Sequence, residues 1–152
     1  MIIYTDGSCN NNPGPGGFAV VLLDDNENFI DCYSHREVYT TNNRQEMKAI
    51  LWAFLNYGVD VNKVKAGVPM ATVYSDSSYA INCFSDWMFK WQQYGWIKTD
   101  RKPPENLPLL QAYYDWWKQG HRIELKKVKG HADNKWNILA DDLATGRLPV
   151  EE

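Results

Sequence analysis

The chain has 152 residues, 44% of them apolar and 14% aromatic, enough for one domain with a real core and too apolar for a disordered chain. No apolar run approaches the length of a membrane span, and three widely spaced cysteines (Cys9, Cys32, Cys83) suit neither a disulfide framework nor a zinc site, which leaves reduced thiols in a cytoplasmic setting. The formal charge of −3 argues only weakly against a polyanion partner, because two divalent cations would add four positive charges and bring it to +1.

At the N-terminus, Met1-Ile2-Ile3 runs into Tyr4-Thr5-Asp6 and reads as a short strand ending in an aspartate. Nothing before it resembles an export leader, so neither export nor a further domain ahead of the strand is expected. Residues 10–17, Asn-Asn-Asn-Pro-Gly-Pro-Gly-Gly, are a dense turn signal. Residues 18–23 and 29–39 are predicted strands around a polar turn, completing a three-strand antiparallel meander. The period then changes. Met47, Ile50, Leu51, Phe54 and Leu55 recur at helical spacing, which predicts an amphipathic helix from Asn43 to about Tyr57.

A long connection, residues 58–70, leads to Ala71-Thr72-Val73 and then Tyr74-Ser75-Asp76, a second strand ending in an aspartate. Helical segments are predicted at 77–84, 86–94 and 109–119, with a polar excursion at 98–104 between the last two. A fifth strand is expected at 122–128. The closing helix, 134–145, turns Trp136, Leu139, Ala140 and Leu143 inward, and residues 146–152 read as a frayed tail. Without repeats or a composition break, residues 1–152 are expected to form a single α/β domain. Its sheet has five mixed strands, the meander plus two parallel ones, with helices on its faces.

Side chains alternate along a strand, so Asp6 shares a face with Tyr4, and Asp76 with Tyr74. If the two strands lie side by side, two carboxylates meet at one lip of the sheet. Paired carboxylates repel, and a divalent cation between them is the usual remedy. Each acid also has a plainer role open to it. Asp6 can start a turn with Gly7, Asp76 can cap the helix after it, and Glu46 three residues beyond Asn43 makes a capping box. Asp141 and Asp142 can be solvated helix surface, and periodicity does not choose between them.

Five ordered segments resemble ribonuclease H of the bacterial type I class (the ribonuclease HI family). They are Tyr-Thr-Asp-Gly-Ser-Cys at 4–9 with Asn-Pro-Gly-Pro-Gly-Gly at 12–17, Thr-Thr-Asn-Asn-Arg-Gln-Glu at 40–46, and Ser-Asp-Ser-Ser-Tyr at 75–79. Val-Lys-Gly-His-Ala at 128–132 and Asn-Ile-Leu-Ala-Asp-Asp-Leu-Ala at 137–144 complete the set. The resemblance implies a ribonuclease H-like fold and an endonuclease that hydrolyses the RNA strand of RNA/DNA hybrids, leaving 5′-phosphate and 3′-hydroxyl ends. It implies Asp6, Glu46, Asp76 and Asp141 as catalytic residues holding two Mg²⁺ ions, with Mn²⁺ as a substitute, and His131 as a catalytic loop histidine.

For substrate, the resemblance implies Thr41 and Asn106 in a pocket for a DNA-strand phosphate, and Tyr79 and Trp87 beside the DNA deoxyribose channel. Asn12, Asn42 and Asn43 are amides suited to 2′-hydroxyls in a shallow minor groove, and Ser78 stands where the family commonly has glutamine. Tyr39 replaces an arginine of the phosphate pocket, and Gln92-Gln93-Tyr94 replaces a basic cluster in the excursion. The implied partners are the hybrid and, as an option, a replication protein that recruits a monomeric cytoplasmic enzyme. Three rivals stay open at this point: a related resolvase or transposase core, an inert nucleic-acid-binding module with the same fold, and a simple Ca²⁺-binding domain.

Overall fold

Residues 18–23 are apolar without alternation, the mark of a strand covered on both faces. In the computed structural model, which describes residues 1–65, 67–128 and 134–146, all six are buried. In chain order the elements begin with strands β1 (Ile2–Cys9), β2 (Gly14–Leu23) and β3 (Phe29–Thr40), then helix α1 (Asn42–Tyr57). A short strand β4 (Val59–Asp60), β5 (Thr72–Ser75) and α2 (Ser78–Asn82) follow. A π-helical turn (Cys83–Trp87) joins α2 to α3 (Met88–Gln93), and α4 (Leu107–Lys118), β6 (His121–Arg122), β7 (Glu124–Lys127) and α5 (Lys135–Ala144) complete the order.

The principal sheet runs β3-β2-β1-β5-β7, with β1–β2 and β2–β3 antiparallel and β1–β5 and β5–β7 parallel. This is the expected mixed five-stranded sheet. Phe18, Val20 and Leu22 pack with Ile3 and Val73 against Ala49 and Ala53 of α1. Ala19, Val21, Leu23 and Tyr4 pack on the other face against Ala140, Leu143 and Ala144 of α5. Helices therefore cover both faces. Beyond α1, a third cluster joins Ile50 and Phe54 to Phe84, Met88, Leu110 and Tyr113, holding α2–α4 to the same side.

Four boundaries differ from those expected. The first strand does not end at Asp6 but runs through it to Cys9. The turn at 10–17 is shorter, because β2 already starts at Gly14 and Cys9 pairs with Gly16. Residues 78–93 form one continuous helical run through the π-turn. Neither Gly nor Pro interrupts that stretch, so nothing in it ends a helix. The strand expected at 122–128 is divided: His121–Arg122 turns aside to pair with β4, while Glu124–Lys127 joins the principal sheet.

Candidate active site

Parallel pairing of β1 with β5 sets Tyr4 opposite Tyr74. Their rings stack at 5.0 Å, and Thr5 Oγ1 donates to Tyr74 O at 2.8 Å. Asp6 and Asp76 each lie two residues beyond that pair, so the ladder itself carries both carboxylates to one lip of the sheet. Glu46 reaches the same point from the second turn of α1. Oxygens of Asp6, Glu46 and Asp76 lie within 4.8 Å of one another.

The close approach of α1 depends on Gly7. A Cβ there would stand 2.3 Å from Glu46 N and 2.4 Å from the Gln45 carbonyl carbon. No side chain fits, and glycine lets the first turns of α1 lie on β1. The plainer roles for the acids fall away in turn. Thr41 caps α1, its side chain accepting from Arg44 N at 3.2 Å, so Asn43 is inside the helix and the Asn43–Glu46 capping box does not form. Ser77 caps α2, accepting from Ala80 N, which leaves Asp76 outside that cap. Asp6 does accept from Gly7 N at 2.9 Å, but within the strand rather than at a turn.

The arrangement is electrostatically costly. Burial is the largest influence raising the Asp6 carboxyl above its ordinary range; the charge of Asp76 and a hydrogen bond and charge from Asp141 add to it, opposed by the Gly7 N–H. Glu46 is raised in the same direction, first by burial, then by the charges of Asp6 and Asp76 and a hydrogen bond with Asp76. Asp141 thus adjoins Asp6 from α5. Glu46 Oε1 is buried with no hydrogen-bond partner among the described residues. An all-oxygen set with an orphaned buried acceptor and mutually repelling carboxylates fits a hard divalent cation such as Mg²⁺ or Mn²⁺.

The remaining sequence candidates gather on the α1 side of this lip. Asn12 Oδ1 accepts from Asn42 N at 3.0 Å, tying the loop after β1 to the start of α1, where Asn43 is exposed. Tyr79 and Trp87 meet edge to face, with centroids 5.7 Å apart. Thr41 caps α1, and Asn106, at φ 58, stands at the start of α4 with its amide directed to Met47 Sδ of α1 at 3.8 Å. Ser78 opens α2. His131 lies outside the described residues. Tyr39, at the arginine position, is 71% exposed.

Two features escaped the sequence reading. Gln45 is fully buried, and its Nε2 donates to Glu37 Oε2 at 2.6 Å and Thr40 Oγ1 at 2.7 Å. It lies nearly opposite the Met47–Leu55 stripe of α1, so neither its burial nor its polar partners on β3 were legible. Lys127 stands in a lysine-rich segment, residues 126–129, and its Nζ donates to Ser78 Oγ.

The RNase H family model matches residues 1–148. The chain is 44% identical over 147 residues to the ribonuclease H of Thermoanaerobacter sp. (strain X514), a match that covers 96% of this chain and 88% of that protein. It is 38% identical over 145 residues to the ribonuclease HI of Rickettsia prowazekii (strain Madrid E), covering 95% and 88%. Among solved structures it is similar to the crystal structure of LC11-RNase H1 in complex with RNA/DNA hybrid. That match has a TM-score of 0.64 and 26% identity, and covers 96% of this chain and 94% of the other.

Proposed function

This chain belongs to the ribonuclease H family, and on that premise we propose that it cleaves the RNA strand of RNA/DNA hybrids by a two-metal-ion hydrolysis that leaves 5′-phosphate and 3′-hydroxyl ends. The observation that carries the mechanism is the convergence of Asp6, Glu46 and Asp76 within 4.8 Å, with a buried, partnerless oxygen on Glu46.

Asp6, Glu46, Asp76 and Asp141 are the residues that would hold the ions. When bound, two Mg²⁺ or Mn²⁺ ions activate the attacking water and stabilise the departing 3′ oxygen. The protein's own part is positional. Strands β1 and β5 fix two carboxylates through a shared ladder, and Gly7 lets α1 present the third. His131 would carry a proton or speed product departure.

Asn12, Asn42 and Asn43 would accept and donate to 2′-hydroxyls in the minor groove, selecting the RNA strand. Thr41 and Asn106 would hold a DNA-strand phosphate, and Tyr79 and Trp87 would flank the deoxyribose track. The hybrid is the substrate, a replication protein is an optional recruiter, and the enzyme acts as a monomer in the cytoplasm. No helix among the described residues is long and apolar enough to cross a membrane.

The test is cleavage of end-labelled RNA/DNA hybrid, RNA duplex and DNA duplex, with Mg²⁺ or with EDTA. Only the RNA strand of the hybrid should be cut, and only with metal. Equal cutting of duplex DNA would favour a resolvase-like relative, and no cutting at all would favour an inert binding module.

A further inference from the structure

We propose that Lys127 is a phosphate-binding residue of this enzyme, gripping the sugar–phosphate backbone of the hybrid beside the acidic cluster with Ser78 as its anchor. The inference rests on the reading of the site as a hybrid-cleaving centre. Parallel pairing sets Lys127 opposite Ser75, and Val128 N donates to Ser75 O at 2.8 Å, so β7 runs alongside β5 to the residue before Asp76.

Alternation decides which way the side chain points. Leu125 lies on the α1 side with Val73. Lys127, two residues on, emerges on that side too. Asp76 shares the opposite face with Tyr74, so Lys127 is not placed as a counter-ion to the carboxylates. Its ammonium instead reaches over α2 to the Ser78 hydroxyl. This is the side on which the start of α1, the Tyr79–Trp87 pair and Asn106 stand, where substrate must lie.

Several neighbouring cations are already engaged by acids. Lys48 and Arg44 sit on Glu37, Lys90 on Asp86, Lys98 on Asp100 and Lys126 on Glu124. Among the described residues Lys127 has a hydroxyl partner and no carboxylate within salt-bridge distance. An ammonium has three donors. One on Ser78 fixes its place, and two remain for non-bridging phosphate oxygens. Neutralising one phosphate contributes roughly one counterion to the salt dependence of binding.

Binding of a fluorescent hybrid, measured by anisotropy in Ca²⁺ over a KCl series, tests this together with steady-state cleavage in Mg²⁺. Lys127→Gln should raise Kd and KM about five- to tenfold, leave kcat within about twofold, and lower the salt slope by roughly 0.7–0.9. Lys127→Arg should retain most of the affinity. A hybrid series with one neutral methylphosphonate at a time should locate a linkage whose neutralisation weakens the wild type but costs Lys127→Gln nothing further. An unchanged slope, or no such linkage, overturns the proposal. Failure of the wild type to cut hybrid at all would overturn the functional reading instead.

Discussion

Asp6 is buried among acids, and that one fact sets both its usefulness and its cost. With its folded affinity for a proton raised, the metal-free fold binds protons more tightly than the unfolded chain does. Stability of the metal-free protein should therefore fall as pH rises from about 4, the unfolded carboxyl range, through the raised folded values, and level off above them. A thermal melt in EDTA should give a higher Tm at pH 5.5 than at pH 8.5, with Mg²⁺ narrowing the difference; a Tm rising over this range in EDTA would refute it. Asp6→Asn or Asp76→Asn should lower kcat by about 10²–10³-fold, the scale of losing one preorganised electrostatic contact. In EDTA at pH 8 the Tm of Asp6→Asn should stay level or rise, because one repelling charge is gone. Near-normal turnover in both variants would place the chemistry elsewhere. At this scale the sequence was informative where geometry is simple. Two strands ending in aspartate predicted a shared lip, because strand alternation is short-range. Glu46 and Asp141 arrive on helices from distant segments, and only family resemblance tied them to the lip.

The elements meet at the corner where β3 ends and α1 begins. Glu37, on β3, accepts from Lys48 and from the buried Gln45, and Gln45 also bonds Thr40. Partial burial acts to raise the Glu37 carboxyl, but the bonds from Lys48 and Gln45 and the charges of Lys48 and Arg44 outweigh it and hold the group down at about 2. This contribution is fully present above the unfolded glutamate range near 4.5 and is lost as pH falls from there toward 2. Glu37→Ala leaves the Gln45 amide short of a charged acceptor and should destabilise the fold by about 2 kcal/mol in urea at pH 7. The penalty should shrink toward pH 2.5, and a deficit as large there as at pH 7 would show that packing, not charge, is the cause. Because the same corner aims the start of α1, Mg²⁺ affinity should fall as well, read by titrating activity with metal. Helix periodicity announced α1 and the burial of Met47, Ile50, Leu51 and Phe54, though Leu55 of the expected stripe is exposed. It could not announce the corner, since Gln45 lies nearly opposite the Met47–Leu55 stripe and reads as solvent-facing until β3 is laid beside it. The division of residues 121–127 between two sheets was equally hidden, because the partner that draws His121–Arg122 aside is a two-residue strand inside a connection.

Across the whole molecule, the lip of the sheet supplies chemistry while the excursion after α3 should supply grip, and the two are unequally equipped. Of the basic residues in and near that excursion, Lys90 is paired with Asp86 and Lys98 with Asp100. Gln93 and Tyr94 are exposed, Tyr94 by 75%, where the family resemblance leads one to expect cations. The mixed five-stranded sheet and the placing of helices on its faces were readable from the chain, because they follow from hydrophobic pattern and element order. The pairing of lysines with neighbouring aspartates was not, because a count of charges does not show which are already neutralised. The consequence is measurable. Replacing Gln92, Gln93 and Tyr94 together with Lys, Lys and Arg adds three charges without a built-in acidic partner. Each new phosphate contact adds roughly one counterion to the salt slope, so the variant should bind hybrid more tightly at low KCl and lose affinity faster as KCl rises. KM should fall about tenfold at low salt while kcat moves little, because the excursion stands away from the bond that breaks. If KM and the slope stay as they are, the excursion does not touch substrate. The burden of holding the hybrid would then rest on the contacts around the lip, and a recruiting partner would have to bring the enzyme to its substrate.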